Sequence, residues 1–147
     1  MRLFGLIGYP LAQSFSKKYF TEKFLKEGIT DAAYELFPLE NIEEFPALLK
    51  NHPEFYGINV TIPYKQEVMQ FLDEVDDEAK NIGAVNCIKI NNGKLIGHNT
   101  DAPAFEASLK EFLSPGHDKA LVLGTGGAAK AVVFVLKKLG IAHQLVS

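Results

Sequence analysis

Two charged residues occupy positions where they could move a proton. Lys65 falls in the first turn of a helix predicted over 63–75, where a cation opposes the positive end of the helix dipole and a purely structural role would not favour it. A lysine beside a ketone and its alcohol can act as a general acid or base. Asp101 follows Asn99 and Thr100 at a predicted strand end, where an aspartate also makes a plain helix N-cap. From the residues alone, a surface lysine and a capping aspartate remain open alternatives.

Five uncharged polar residues could bind a ligand. Ser14 and Ser16 lie at the start of a helix predicted over 16–27, where hydroxyls, free amides and the helix dipole suit a carboxylate. One of the serines could instead cap that helix. Asn59, Thr61 and Asn86 interrupt the apolar runs NVTI and AVNCI, so each needs a hydrogen-bond partner if it is buried. That partner could be a ligand hydroxyl or another protein group.

A glycine-rich segment near the C-terminal end has the dinucleotide-binding pattern G-x-G-x-x-A. It comprises Gly124, Thr125, Gly126, Gly127, Ala128 and Ala129, between a predicted strand over 119–124 and a predicted helix over 130–139. Glycines there permit a tight turn and close approach of a pyrophosphate to the helix N-terminus, and the final small residue lets helix and strand pack closely. A glycine-rich turn that binds no ligand is the alternative.

The elements that must position these residues alternate between strand and helix. Asn91-Asn92-Gly93 between two β-prone runs predicts a hairpin, and the acidic run over 73–78 is interpreted as a solvated helix face. The alternation predicts an α/β fold with a mostly parallel sheet flanked by helices. The predicted strands cover 2–8, 33–39, 56–62, 84–90, 94–98, 119–124 and 141–146, and the remaining helices cover 42–50 and 104–113.

The break at Ser114-Pro115-Gly116 predicts a domain boundary, with one domain over 1–113 and another over 114–147. A full Rossmann domain needs two βαβαβ halves. The residues up to Ser147 are therefore expected to hold only the opening part of one. The residue that distinguishes NAD from NADP is expected at the end of the next strand, beyond this sequence.

Composition narrows the class of protein. The 147 residues carry 15 Lys and Arg against 18 Asp and Glu, a net charge of −3, with 47% hydrophobic residues. This balance argues against nucleic acid as a partner. The single Cys87 excludes an intrachain disulfide and fits a reducing, cytoplasmic setting. The four histidines have no metal-ligand spacing, and no apolar run is long enough to span a membrane, so we expect neither a metal nor a membrane association.

Five motifs, taken in their order and spacing, resemble the shikimate dehydrogenase family over nearly the whole chain. They are GYPLAQSFS at 8–16, NVTIPYK at 59–65, IGAVN at 82–86, GHNTD at 97–101 and LGTGGAAKA at 123–131. Two departures stand out. Cys87 occupies a position where the family commonly has Thr, and the family's cofactor-selecting Asn-Arg-Thr segment and late substrate contacts lie beyond Ser147.

The resemblance implies reduction of 3-dehydroshikimate to shikimate with NADPH, in a pathway to chorismate and the aromatic amino acids. It implies that Lys65 and Asp101 handle the proton, that Ser14 and Ser16 bind the carboxylate, and that Asn59, Thr61 and Asn86 read the ring hydroxyls. The segment 124–128 would bind NADP. Turnover by these 147 residues alone is not expected. The alternatives are a non-catalytic module that binds a polyol carboxylate and a quinate dehydrogenase that uses NAD. The segment from about Ala120 is expected to be poorly protected or to self-associate, for example as a homodimer.

Overall fold

The computed structural model describes residues 1–147, which form two β-sheets with helices packed against them. The larger sheet has six strands in the order β2-β1-β3-β5-β6-β4, and the smaller sheet pairs β7 with β8. The strands are β1 Arg2–Gly8, β2 Ala32–Pro38, β3 Phe55–Val60, β4 Glu74–Val75, β5 Cys87–Asn91, β6 Lys94–His98, β7 Lys119–Leu123 and β8 Ala142–Val146. The α-helices are α1 Ser16–Lys26, α2 Phe45–Asn51, α3 Asp77–Ile82, α4 Asp101–Phe112 and α5 Gly127–Lys138.

The predicted α/β fold with a mostly parallel sheet is confirmed. β1 pairs in parallel with both β2 and β3, and β4 pairs in parallel with β6. The β5–β6 hairpin supplies the antiparallel pairs. Its turn is the predicted Asn-Gly turn, with φ of 51° at Asn92 and 79° at Gly93. Two consecutive positive φ angles are those of the tight hairpin turn that Asn-Gly favours.

The main core lies on one face of the six-stranded sheet. Ile7, Phe45, Val68 and Ile88 are fully buried there. Burying an aliphatic or aromatic side chain of this size contributes about 1.5–3 kcal/mol of stability. Because these residues come from β1, α2, the segment before β4, and β5, this core fixes the relative positions of the strand ends.

The helix predicted over 63–75 is wrong. Residues 62–66 form turns, Glu67–Phe71 is a 3-10 helix, and Glu74–Val75 is the short strand β4. Pairing with β6 overrides the helical pattern, since β4 aligns with Ile96 and Gly97 and Asp73 accepts a hydrogen bond from the Leu95 amide at 2.7 Å. The acidic run is therefore not one helix face.

Other element boundaries also differ from those predicted. The element predicted over 42–50 begins as a 3-10 helix at Ile42–Glu44 and continues as α2, with Pro46 in its first turn. The strand predicted over 84–90 begins only at Cys87. Asp76, which belongs to the acidic run, is the N-cap of α3, and its Oδ1 accepts from the Ala79 amide at 2.6 Å.

The smaller sheet and α5 form a second layer that contacts the first. Val122, Leu136 and Ile141 make a small core between α5 and the β7–β8 pair. The opposite side of α5 buries Ala131 and Val135 against residues of α3, α4 and the segment between α3 and β5. This second contact seats the start of α5 beside the larger sheet. No helix is both long enough and apolar enough to cross a membrane.

Candidate active site

The predicted site residues gather at one edge of the larger sheet. β1, β3 and β6 all end at this edge because they run in the same direction, while the antiparallel β5 begins there. Ligands of α/β proteins commonly bind outside the carboxyl ends of such strands. The connections leaving these strands carry Ser14, Thr61, Lys65 and Asp101.

Lys65 and Asp101 form a direct ion pair. The Lys65 ammonium donates to Asp101 Oδ2 at 2.7 Å. The side chains are 15% and 32% exposed, respectively, so the pair is sheltered but open on one side. Lys65 lies in an irregular turn and not in the first turn of a helix. No helix dipole therefore opposes the charge of Lys65, which nevertheless lies in the site.

Asn86 connects Asp101 to the loop before α4. Its amide nitrogen donates to Asp101 Oδ1 at 2.9 Å and to Thr100 Oγ1 at 2.8 Å. Its side-chain oxygen accepts from the Thr100 amide at 2.7 Å. The sequence predicted that Asn86 needs a hydrogen-bond partner, and most of its bonding capacity is used within the protein. Asn86 therefore holds the carboxylate that faces Lys65.

The alternative role of Asp101 as a helix cap is not observed, because another residue caps α4. Asp101 is the first residue of α4, and its side chain points to Lys65 and Asn86. Asn99 does the capping: its side-chain oxygen accepts from the Ala102 amide at 3.1 Å, while its nitrogen donates to the Ala84 carbonyl at 2.9 Å. Because Asn99 satisfies the helix end, the Asp101 carboxylate is left for the ion pair.

Asn59 is held by a tyrosine that the sequence analysis did not single out. Tyr34 on β2 is buried, and its hydroxyl donates to Asn59 Oδ1 at 2.9 Å. The Tyr34 ring stacks on Phe20 of α1 at a centroid distance of 4.5 Å. Burial raises the pKa of Tyr34 to about 12. The only available signal was a tyrosine in a predicted strand.

The amide of Asn59 extends this network towards Lys65. Since Tyr34 occupies its oxygen, the Asn59 nitrogen remains available and lies 3.5 Å from the Asn86 carbonyl. That separation is at the outer limit of a hydrogen bond. One chain of polar contacts therefore runs from Tyr34 through Asn59 to Asn86, Asp101 and Lys65.

The two serines and Thr61 are half-buried beside this network. α1 begins at Ser16, and no side chain caps it in the usual way, since its N-cap residue is Phe15. Ser14 Oγ accepts only a long 3.3 Å hydrogen bond from the Ser16 amide. Thr61 is held by its backbone, which donates to the Ile7 carbonyl at 2.9 Å. The hydroxyls are accordingly available to a ligand.

The glycine-rich turn leads from β7 into α5. Gly124 has φ of +108°, which favours glycine, and its amide donates to the Val146 carbonyl at 2.7 Å. A Cβ built on Gly126 would have no atom within 4 Å, so the backbone there is open to a ligand. α5 begins at Gly127 and its first amides point outward from the N-terminus. These residues fit a pyrophosphate, as the pattern predicts.

Fold and site together define an α/β protein in which a lysine–aspartate pair lies beside a dinucleotide-type turn. Residues 6–88 match the family described as the shikimate dehydrogenase substrate binding domain. The chain belongs to this family.

Individual relatives agree with this assignment. An NADP(+) shikimate dehydrogenase of Carboxydothermus hydrogenoformans is 47% identical over 143 residues, which is 95% of this chain and 50% of that protein. Among solved structures, shikimate dehydrogenase 1 of Peptoclostridium difficile superposes with a TM-score of 0.91 at 34% identity and covers 100% of this chain and 57% of that one. A Thermus thermophilus shikimate 5-dehydrogenase in complex with NADP(H) and shikimate superposes with a TM-score of 0.85 at 36% identity, covering 99% and 55%. The chain spans about half the length of these relatives.

Proposed function

We propose that the chain is the substrate-binding part, with the opening of the cofactor-binding part, of an NADP-dependent shikimate dehydrogenase that reduces 3-dehydroshikimate to shikimate. The observation that carries the proposal is the Lys65–Asp101 pair at 2.7 Å, in a polar network that adjoins a dinucleotide-type turn. We assign residues 1–113 to the substrate-binding domain and 114–147 to an incomplete Rossmann domain. Turnover is assigned to the longer protein and not to these residues alone.

Lys65 is the residue that exchanges a proton with the substrate oxygen. When the ketone becomes an alcohol, its oxygen gains a proton, and an ammonium at hydrogen-bond distance can supply it. Asp101 holds that ammonium in place and stabilises its charge through a short, charge-assisted contact. Asn86 fixes the orientation of the Asp101 carboxylate through its second oxygen. In the whole enzyme, Lys65→Ala should lower kcat far more than it raises KM.

Substrate recognition is divided between two groups of polar side chains. Ser14 and Ser16, at the N-terminus of α1, offer their hydroxyls to a carboxylate, and the positive end of the helix dipole favours the negative charge there. Asn59 and Thr61 face the ring hydroxyls. With Tyr34 on its oxygen, Asn59 presents its amide nitrogen and so acts as a donor to a substrate oxygen. Such fixed donors reject a ligand that lacks the matching hydroxyl.

NADP would be held by its pyrophosphate at residues 124–128 and would supply the hydride. The open backbone at Gly126 and the N-terminus of α5 provide the anion site. This position places the turn beside Lys65, since Gly127 and the lysine side chain are neighbours. The chain's own residues therefore bring the proton-handling group and the cofactor turn to one place.

A calorimetric titration of the chain with shikimate tests this proposal, with quinate and a simple carboxylate as controls. We expect saturable binding of shikimate that is lost in a Ser14→Ala/Ser16→Ala variant, because the carboxylate then loses two hydroxyl partners. Tighter binding of quinate would favour a quinate dehydrogenase. Equal, weak binding of all three ligands would contradict the proposed substrate class.

The proposal also covers the cellular setting and an alternative function. The free thiol of Cys87 suits a reducing cytoplasm. Binding without turnover in the complete protein would indicate a non-catalytic polyol-carboxylate module.

Self-association of the smaller sheet is proposed because Leu121, Leu123 and Leu145 are exposed on its strands. Sedimentation at increasing concentration checks this, and a strictly monomeric chain would contradict it.

A further inference from the structure

Gly127 is a glycine that the dinucleotide pattern does not require. In G-x-G-x-x-A the constrained positions are Gly124, Gly126 and Ala129, and Gly127 occupies one of the free positions. Its φ is not positive, unlike that of Gly124, so backbone geometry does not demand glycine either. Glycine at the start of α5 also lacks the helix-favouring side chain that alanine would supply. Another contact must account for it.

That contact is with Lys65. A Cβ built on Gly127 would lie 2.8 Å from Lys65 Cβ and 3.2 Å from Lys65 Cδ. The first distance is too short for two carbon atoms, so one of the segments would have to shift. The next neighbour, Ala84 Cβ, lies at 3.5 Å, which is an ordinary contact.

Lys65 cannot move away cheaply, because it is held at both ends. Its carbonyl accepts from the Val85 amide at 2.7 Å, which fixes the backbone that carries Cβ. Its ammonium is bound to Asp101 at 2.7 Å. A methyl group at position 127 would therefore push against the aliphatic part of the Lys65 side chain, between the fixed backbone and the fixed ammonium.

We propose that Gly127 is a positioning residue for Lys65: its missing side chain lets the first turn of α5 pack on the lysine stem and keep the ammonium on Asp101. The contact itself stands without the proposed function, and only its consequence for catalysis rests on that function. Through this glycine, the turn that holds the pyrophosphate also forms one wall of the proton-handling site.

Chemical labelling of lysines in the cofactor-free chain tests the effect on Lys65 directly. The chain is treated with a limiting amine-reactive ester, and labelling of Lys65 is compared by peptide mass spectrometry with that of the exposed Lys94 in the same sample. Gly127→Ala should raise the Lys65 to Lys94 ratio several-fold. Gly126→Ala is the matched control, since its methyl group would enter open space, and should leave the ratio unchanged. An unchanged ratio in Gly127→Ala would overturn the proposal.

A double-mutant cycle in thermal unfolding covers the case in which Gly127→Ala does not fold. In the wild-type background the substitution should lower the melting temperature by about 5 °C, the order expected for an overpacked contact. In a Lys65→Gly background, which removes both clashing carbons, the loss should largely disappear. Equal losses in the two backgrounds, or a double variant that fails to fold when Lys65→Gly folds, would refute the contact as the cause.

A shikimate titration of the same proteins separates the two proposals. If the wild-type chain does not bind shikimate, the proposed function fails, while the labelling and the cycle still decide the role of Gly127. If the wild-type chain binds shikimate and Gly127→Ala leaves the labelling ratio unchanged, only the positioning role fails.

Discussion

Replacing Asn99 by alanine should destabilise the chain more than any other single loss of a polar side chain at the site. Asn99 is 6% exposed, the one polar residue among the buried set. Its side chain satisfies two backbone groups, the Ala84 carbonyl at 2.9 Å and the Ala102 amide at 3.1 Å. Both residues are themselves buried, at 0% and 1% exposure. Asn99→Ala therefore leaves two buried groups without partners.

The expected magnitude follows from those two groups. An unsatisfied buried donor or acceptor costs about 1–3 kcal/mol, so the pair should cost about 2–4 kcal/mol once partial access of water is allowed for. With a urea m-value of about 2 kcal/mol/M, the unfolding midpoint would fall by about 1–2 M. Asn99→Asp should be at least as destabilised as alanine at neutral pH, because it keeps the acceptor for the Ala102 amide but places a buried carboxylate oxygen against the Ala84 carbonyl.

Urea unfolding followed by circular dichroism measures this directly. Asn51→Ala is the matched control, since Asn51 is exposed at the end of α2 and its replacement should change the midpoint little. The reasoning would be refuted if Asn99→Ala shifted the midpoint no more than Asn51→Ala does.

Three other outcomes are expected. Thr61→Val should weaken shikimate binding by about 5- to 150-fold, since a substrate hydroxyl loses its partner at a cost of about 1–3 kcal/mol; an unaltered Kd in calorimetry would contradict this. The pKa of Tyr34 is raised by burial from 10.0 to about 12, so the unfolded state loses this proton first and stability should fall between about pH 10 and 12. Tyr34→Phe should make that fall shallower in urea unfolding, and parallel profiles would count against it. Burial also raises the pKa of the Cys87 thiol, so alkylation by iodoacetamide should be slower than that of a free thiol such as glutathione; an equal rate would rule this out.

Local sequence chemistry predicted the elements that depend on local geometry. The Asn92-Gly93 turn forms because both residues tolerate positive φ. The helix predicted over 63–75 does not form. The prediction used only the local pattern of apolar residues, whereas the structure of this segment depends on pairing with β6. Helical periodicity is a weak preference that a strand partner overrides. The acidic run 73–78 was predicted to be one helix face. In the structure it contributes the strand β4, which pairs with β6, and the N-cap of α3 at Asp76.

At the site, too, the sequence indicated the chemistry of single residues, whereas the contacts between them depend on the fold. The types of Lys65 and Asp101 indicated proton chemistry, but spacing alone could not predict that they meet, because their contact depends on which strands end at the same edge. Asn86 was predicted to need a partner, and only the structure shows that this partner is the Asp101 carboxylate. Gly127 lies at a free position of the cofactor pattern, and its contact with Lys65 joins segments far apart in the sequence, so the sequence alone could not show its role.

The central claim, that this network is a shikimate site, is tested most directly by following backbone amide resonances of the isotopically labelled chain during a shikimate titration. The account predicts saturable shifts concentrated in residues 14–16, 59–65, 86 and 99–101, with quinate and a simple carboxylate producing weaker changes. Shifts concentrated instead in the groove between α1 and β2, around Thr21, Ile29 and Ala33, or no saturable shifts at all, would contradict it.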